Sequence, residues 1–272
     1  MSTLILVQGI SPHRINAMIL RYWYLLMSSW PRLLELLYWP ALQIITWGFL
    51  QTYITQNAGF FARAGGTLIG AVILWDILFR GQLGFSISFL EEMWARNLGH
   101  LFVTPLRPYE WVLSLLSMSL IRVLLGIVPA ALLAIPFYHY SIFSMGLPLV
   151  AFFAVLLVMG WALGMAICGL ILRQGMGAEG LAWTVVFTLS PISAVYYPVS
   201  ILPGWLQHAS WALPSTYVFE GMRAVLFSGI FRADYLFTAL ALDVLYVTLG
   251  AAAFLFAIHD ARRRGTLLQM GE

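Results

Sequence analysis

Long apolar runs, separated by short segments that carry most of the charges, dominate the pattern of the chain. The runs are continuous rather than alternating, and six of them are long enough to cross a hydrocarbon core of about 30 Å as helices. In lipid, only helices and closed barrels satisfy every backbone polar group, so these runs predict transmembrane helices. The predicted spans are Leu33–Tyr53, Leu68–Phe89, Trp111–Phe137, Gly146–Leu172, Leu181–Pro198 and Tyr235–Ile258.

The pattern of residues 11–31 predicts a further helix ahead of the first span. Ser11 suits a helix N-cap and Pro12 the first helical turn, while Pro31 ends or kinks the pattern. Apolar side chains recur at helical spacing at Ile15, Met18, Ile19, Tyr22, Trp23, Leu26 and Trp30. The pattern favours an amphipathic helix in the inner membrane interface. A distorted extension of the first span is the alternative.

The charged segment 90–103 joins the second and third spans. Its apolar residues Leu90, Met93, Trp94, Leu98, Leu101 and Phe102 fall on one helix face, and Glu91, Glu92, Arg96 and His100 occupy the rest. Prolines at 105 and 108 end the pattern. The segment therefore predicts a short helix at the inner surface with its charged face toward the cytoplasm. It is either a connector whose charged side chains snorkel to water or a docking surface.

An apolar segment at 200–234 separates the fifth and sixth spans. It is too apolar for a solvated loop, and Pro198, Pro203 and Pro214 interrupt it too often for a span. Two short re-entrant helices on the outer side fit it best. Residues 259–272 form a predicted cytoplasmic tail, and the whole chain, 1–272, is predicted to be a single transmembrane domain.

Composition places the chain among integral membrane proteins. It is 61% hydrophobic and 9% charged, whereas globular domains average about 45–50% apolar and about 25% charged residues. With the N-terminus inside, nine Arg lie on the inner side and three on the outer side, which predicts cytoplasmic termini. The net charge of +3 and the lack of a basic run indicate no nucleic-acid partner.

No catalytic, cofactor or metal site is predicted. The five histidines are scattered over both sides of the membrane, and none is paired at metal-ligand spacing. Gly175, Gly177 and Gly180 match a dinucleotide-binding fingerprint, but no strand precedes them, so a tight inner hairpin is the better interpretation. The chain has no Lys, and a P-loop requires one. Any ATP used through a P-loop must therefore be bound by another polypeptide.

Asp76, Arg80, Arg122 and Asp243 are charged residues that fall in the interior of predicted spans. A central charge costs about 2.5–3.5 kcal/mol on insertion, which pairing would reduce. Asp76 and Arg80 are spaced i, i+4 and can pair, and Arg122 can pair with Asp243 if their spans touch. The four are either structural ion pairs or part of a polar translocation path.

Two segments carry a resemblance to a known family. The stretches FLEEMWARNLGHLFVTPLRPYEW and SPISAVYYPVSILPGWLQHASWALPSTYVFEGMR, set among the six spans, resemble the coupling and outer motifs of type 2 ABC exporter permeases. This group includes polysaccharide, teichoic-acid and drug exporters, and the likeness covers nearly the whole chain. It implies an all-α integral membrane protein with six transmembrane helices, an N-terminal interfacial helix, a cytoplasmic coupling helix and outer re-entrant helices.

The resemblance also implies partners and site residues. A separate ATPase subunit would bind ATP and Mg²⁺ and contact Glu91, Glu92, Arg96, Asn97 and Leu98, with a second contact at the Gly175 and Gly177 loop. Tyr196, Tyr197, Pro198, Glu220 and Arg223 would shape an outer gate. The permease would not be an enzyme itself, would pair with a second copy, and would lie in the lipid of the bacterial inner membrane.

Two other functions remain open from the sequence. An ion-coupled secondary transporter would use Asp76, Arg80, Arg122 and Asp243, but would predict inverted repeats that the two halves do not show. A membrane enzyme or assembly factor would need a convergent polar site, and the sequence indicates none. The transported substrate is not predicted.

Overall fold

The computed structural model describes residues 10–57 and 67–264, which form ten α-helices and no strand. This confirms the all-α integral membrane class. The helices are α1 Pro12–Met27, α2 Trp30–Asn57, α3 Thr67–Trp94, α4 Leu98–Val103, α5 Pro108–Tyr138, α6 Leu147–Gln174, α7 Leu181–Ile192, α8 Gly204–Trp211, α9 Pro214–Ser228 and α10 Ala233–Arg264. The end of the predicted tail, 265–272, lies outside the described residues.

Among the described helices, five are long and apolar enough to cross a membrane: α2, α3, α5, α6 and α10. The fifth predicted span, Leu181–Pro198, is wrong in length, because α7 has 12 residues and ends at Ile192. A helix of that length measures about 18 Å. The chain leaves the helix after Ile192 and turns at Ala194, whose φ of 51° belongs to the left-handed region.

Helix α3 is the centre of the bundle. In its most apolar stretch 89% of the residues are buried, compared with 17% in α2. It packs between α5 and α6, and α6 in turn packs along α10. Glycines permit the closest approaches: Gly84 faces Ser119 of α5, and Gly160 of α6 faces the backbone of Leu78 and Gln82.

The N-terminal helix is separate from the first span, as predicted, because α1 ends at Met27 and α2 begins anew at Trp30. Pro31 therefore lies in the first turn of α2, where a missing N–H costs nothing. The buried face of α1 is narrower than the predicted stripe and consists of Met18, Tyr22 and Leu26. It packs on the start of α5, where Trp111 Nε1 donates a hydrogen bond to the Tyr22 hydroxyl at 2.8 Å.

The predicted single helix face over 90–103 is wrong, because the segment is broken. Helix α3 continues through Trp94, Arg96 adopts a left-handed φ of 52°, and α4 begins at Leu98. Asn97 fixes this break, since its backbone N–H donates to the Glu92 carbonyl at 2.9 Å and its side chain to Glu92 Oε2 at 2.7 Å. Both bonds close the last turn of α3.

The outer segment forms two short helices, α8 and α9, as predicted. Pro214 starts α9, and Gly229 ends it with a positive φ of 68°. Helix α9 packs against α6 and α10. Trp211, Tyr217 and Tyr235 form an aromatic cluster with ring centroids 5.0–5.8 Å apart.

Candidate coupling site

Three carboxylates with side chains no more than 7% exposed lie at the predicted inner ends of α3 and α5, and each contacts at least one arginine from another helix. They are Glu91, Glu92 and Glu110. We refer to these three residues and their partners Arg14, Arg21, Arg32 and Arg122 as the inner ion-pair cluster. Burying a carboxylate is costly unless it is paired and hydrogen-bonded, so each of these contacts stabilises the arrangement.

Glu110 joins α1 to the start of α5. Arg14 donates to it through Nε at 2.9 Å and Nη2 at 2.7 Å, a two-pronged contact. The backbone N–H groups of Ser11 and Arg107 donate to the same carboxylate at 2.9 and 3.0 Å. Glu110 thereby caps α5 and holds the first residues of α1.

Glu92 joins α1 to the end of α3. Arg21 Nη2 donates to Glu92 Oε2 at 3.0 Å, and the Asn97 amide donates to the same oxygen. The neighbouring Tyr22 hydroxyl is buried, and burial first and the Glu92 charge second raise its pKa well above the usual value. Tyr22 therefore remains a neutral hydroxyl that accepts the Trp111 hydrogen bond.

Glu91 joins α2, α3 and α5. Arg32 Nη1 lies 3.2 Å from Glu91 Oε1, and Arg122 Nη2 lies 3.2 Å from Oε2. The predicted pairing of Arg122 with Asp243 is therefore wrong. Helix α5, which carries Arg122, packs beside α3, whereas α10, which carries Asp243, packs along α6 and α9.

The burial of these carboxylates corrects the expected orientation of the charged segment. Glu91 and Glu92 point into the protein rather than toward the cytoplasm, and Leu98 is buried as well. The exposed side chains of this region include Trp94, Arg96, His100 and Val103, of which Val103 is 88% exposed. The surface of the segment is thus partly apolar.

The α6–α7 connection lies against this surface. Gly175 adopts a φ of 84°, a 3₁₀ turn spans Met176–Ala178, and α7 begins at Leu181, which confirms the predicted tight hairpin. Trp94 Nε1 donates to Glu179 Oε2 at 3.1 Å. The structure thus brings together the two inner segments that the resemblance assigned to ATPase contacts.

On the outer side, Glu220 and Arg223 of α9 fasten the turn that follows α7. Arg223 Nη2 donates to the Ala194 carbonyl at 2.8 Å, and Glu220 Oε1 accepts from the Val199 N–H at 2.8 Å. The expected gate residues Tyr196, Tyr197 and Pro198 lie within this turn. Tyr196 stacks on Trp47 of α2 with ring centroids 4.4 Å apart, and the Tyr197 hydroxyl donates to the Pro191 carbonyl at 2.8 Å.

The remaining intramembrane charges behave differently from one another. Arg80 Nε donates to Asp76 Oδ2 at 2.5 Å, which confirms the predicted i, i+4 pair. Asp243 is buried, and among the described residues neither of its oxygens has a hydrogen-bond partner.

We expect Asp243→Ala to raise the free energy of unfolding by about 1–3 kcal/mol, because it removes a buried and unsatisfied carboxylate. Unfolding in mixed detergent micelles measures this change. The control is Asp234→Ala, which removes an exposed carboxylate paired with Arg232 at 2.7 Å and should change stability by less than about 1 kcal/mol. A loss of stability in Asp243→Ala would contradict the prediction.

Sequence reasoning did not find four members of the inner ion-pair cluster: Arg14, Arg21, Arg32 and Glu110. Two patterns could have indicated them. Arg14 and Arg21 are seven residues apart and share one face of α1. Glu110 occupies the third position of α5, after Pro108, where a carboxylate caps a helix.

The architecture is that of a multi-pass helical membrane protein with a paired-charge cluster at one end. A family model described as ABC-2 type transporter matches residues 17–227, which is most of the chain. The chain belongs to this family, and it is therefore an ABC transporter permease. A comparison with curated proteins returns no match.

Proposed function

We propose that this permease forms the translocation path of an ATP-driven exporter and that a separate subunit hydrolyses the ATP. ATP and Mg²⁺ would bind that subunit, and two copies of the chain would complete the path. One observation gives this proposal its main support. The partly apolar segment Trp94–Thr104 continues directly from α3, the most buried of the five membrane-length helices. The Arg bias of the sequence supports cytoplasmic termini, and the membrane would be a bacterial inner membrane.

The contact surface for the ATPase would combine both inner segments. Trp94, Arg96, His100 and Val103 would form its main part, and the loop with Gly175 and Gly177 its smaller part. An exposed apolar side chain next to charged ones is typical of a docking site. The Trp94–Glu179 hydrogen bond joins the two parts, so that both would move together.

Glu91, Glu92, Asn97 and Leu98 would act from inside rather than as direct contacts. Glu92 and Asn97 fix the angle between α3 and α4. Glu91 ties the end of α3 to α2 and α5 through Arg32 and Arg122. A push on α4 would therefore shift α3 and its neighbours as a unit, the kind of rigid-body change that switches transporters between states.

Membership of the ABC-2 family argues against the ion-coupled alternative. Asp243, whose oxygens have no hydrogen-bond partner within residues 10–57 and 67–264, is the observation that favours it. Transport by the purified chain in vesicles without ATP would support this alternative and contradict our proposal.

Val103→Asp tests the contact surface. Because Val103 is almost fully exposed, the substitution should leave the fold intact, yet it places a charge in a partly apolar interface. We expect affinity for the ATPase subunit to fall by about tenfold or more. Purification from the native membrane, followed by intact-mass measurement, reports the copy number of that subunit.

The matched control is Ile201→Asp, at an exposed apolar residue in a short turn of the outer segment. It should purify with the ATPase in the same ratio as the unaltered permease. If Val103→Asp still purifies with the ATPase, Val103 is not part of the contact surface. An unaltered permease that purifies without any ATPase would overturn the proposed function itself.

A further inference from the structure

A narrow cleft lies between α2, α3 and α5, within the membrane-spanning part of the bundle. The space in it that a water-sized group can occupy amounts to about 10 Å³. Its lining residues are Pro40, Gln43, Ile44, Val72, Ile73, Asp76, Ile127 and Ala130. On this measure a cavity needs roughly 10–15 Å³ to hold one water. This cleft therefore has room for about one hydroxyl-sized group.

One carboxylate oxygen of Asp76, a residue that lines the cleft, accepts no hydrogen bond from the described residues. Its side chain is buried, with 4% of the residue exposed. Oδ2 accepts the hydrogen bond from Arg80, while Oδ1 is buried and has no partner among the described residues. Buried polar atoms are nearly always hydrogen-bonded, so a single lone acceptor at a cleft indicates a donor that arrives from outside the chain.

The surroundings restrict the chemistry of that donor. Arg80 is paired with the Asp76 carboxylate and balances its charge. A cationic donor would therefore be repelled by the nearby Arg80 guanidinium. Ile44, Ile73 and Ile127 make the adjoining walls apolar. Pro40 gives no backbone hydrogen bond, so α2 is weakened where it borders the cleft and can yield to an incoming group.

We propose that Asp76 Oδ1 accepts a hydrogen bond from a neutral hydroxyl or amide group of an amphipathic cargo. The apolar part of that cargo would lie at the mouth of the cleft. This inference rests on the proposed function, because it assigns the cleft to the translocation path. It names the chemistry of the cargo: an uncharged hydrogen-bond donor attached to an apolar chain.

Photolabelling of the purified permease in lipid nanodiscs tests this assignment. Three probes share one diazirine-bearing alkyl chain and end in an alcohol, a methyl ether or a primary ammonium. The alcohol can donate to Asp76, the ether cannot, and the ammonium donates but carries a charge. We expect the alcohol to label peptides containing Pro40–Ile44 or Val72–Asp76 about tenfold more than the ether does. The ammonium should label them no more than the ether.

Two variants localise the labelling. Ala130→Leu fills the cleft and leaves the ion pair in place, whereas Asp76→Leu/Arg80→Met removes the acceptor without leaving a lone buried charge. Both should abolish the preference for the alcohol. Ala252→Leu, at an exposed position of α10, is the control and should label like the unaltered permease.

Equal labelling by the alcohol and the ether would overturn the inference. An unchanged preference in Ala130→Leu and in the double variant would do the same, and stronger labelling by the ammonium would rule out a neutral donor. The assay needs neither ATP nor a partner. Its failure can therefore be told apart from failure of the proposed function, which the purification experiment measures separately.

Discussion

Arg122→Leu is expected to destabilise the permease by about 3 kcal/mol, because it leaves the buried Glu91 carboxylate without its buried partner. The side chains of Arg122 and Glu91 are each 7% exposed. The side chain of Arg32, the second partner of Glu91, is 45% exposed. An exposed arginine remains largely hydrated and compensates a buried charge poorly. The loss therefore lies at the lower end of the range for broken buried pairs, since Arg32 still contributes.

The measurement is the free energy of unfolding in mixed micelles, with Arg32→Leu as the matched control. Arg32→Leu should cost less than about 1 kcal/mol, since it removes an exposed partner. The double variant Glu91→Leu/Arg122→Leu should regain most of the stability lost in Arg122→Leu, because no lone charge is left. If Arg122→Leu and Arg32→Leu cost the same, burial does not decide the strength of this cluster.

The same cluster shows why the inner site could be predicted only in part. Hydrophobic periodicity located α1 correctly, because apolar spacing records which residues of a helix are buried. It placed Glu91 and Glu92 on the exposed side, because charged residues are seldom buried without a partner. Their partners are far away in sequence: Arg21 is 71 residues from Glu92, and Arg14 is 96 residues from Glu110.

The intramembrane charges also show which ion pairs can be predicted from the sequence and which cannot. The pairing of Asp76 with Arg80 followed from their i, i+4 spacing, which is a local property of one helix. The pairing of Arg122 depended on which helices are neighbours, and the sequence does not specify that α5 packs beside α3 rather than α10. Local geometry could be predicted, and the packing order could not.

The span pattern was predictable where apolar length alone decides it. Five of the six predicted spans correspond to helices long enough to cross a membrane. The exception is α7, where the continuous apolar run hid a turn at Ala194. That turn is held by Arg223, 29 residues further along the chain, so hydropathy could not reveal it.

Gly160→Val is expected to destabilise the bundle by about 3 kcal/mol, because it introduces side-chain atoms where α3 and α6 touch through their backbones. A Cβ atom at Gly160 would lie 2.7 Å from the Leu78 carbonyl oxygen and 3.0 Å from the Gln82 nitrogen. These atoms belong to the central helix and cannot rotate away as a side chain would. The two helices would have to separate, with loss of packing along both.

The control for this change is Gly177→Val, in the α6–α7 connection. A Cβ at Gly177 would meet no atom within 4 Å, and its φ does not lie in the left-handed region. We expect its free energy of unfolding to stay within about 0.5 kcal/mol of the unaltered value. Since α3 and α6 lead directly to the two inner segments, the Gly160 contact would, under the proposed function, make these segments move together. Gly160→Val should therefore lower ATP-driven transport by more than the loss of folded protein explains. Equal free energies of unfolding for Gly160→Val and Gly177→Val would show that α3 and α6 are not in backbone contact.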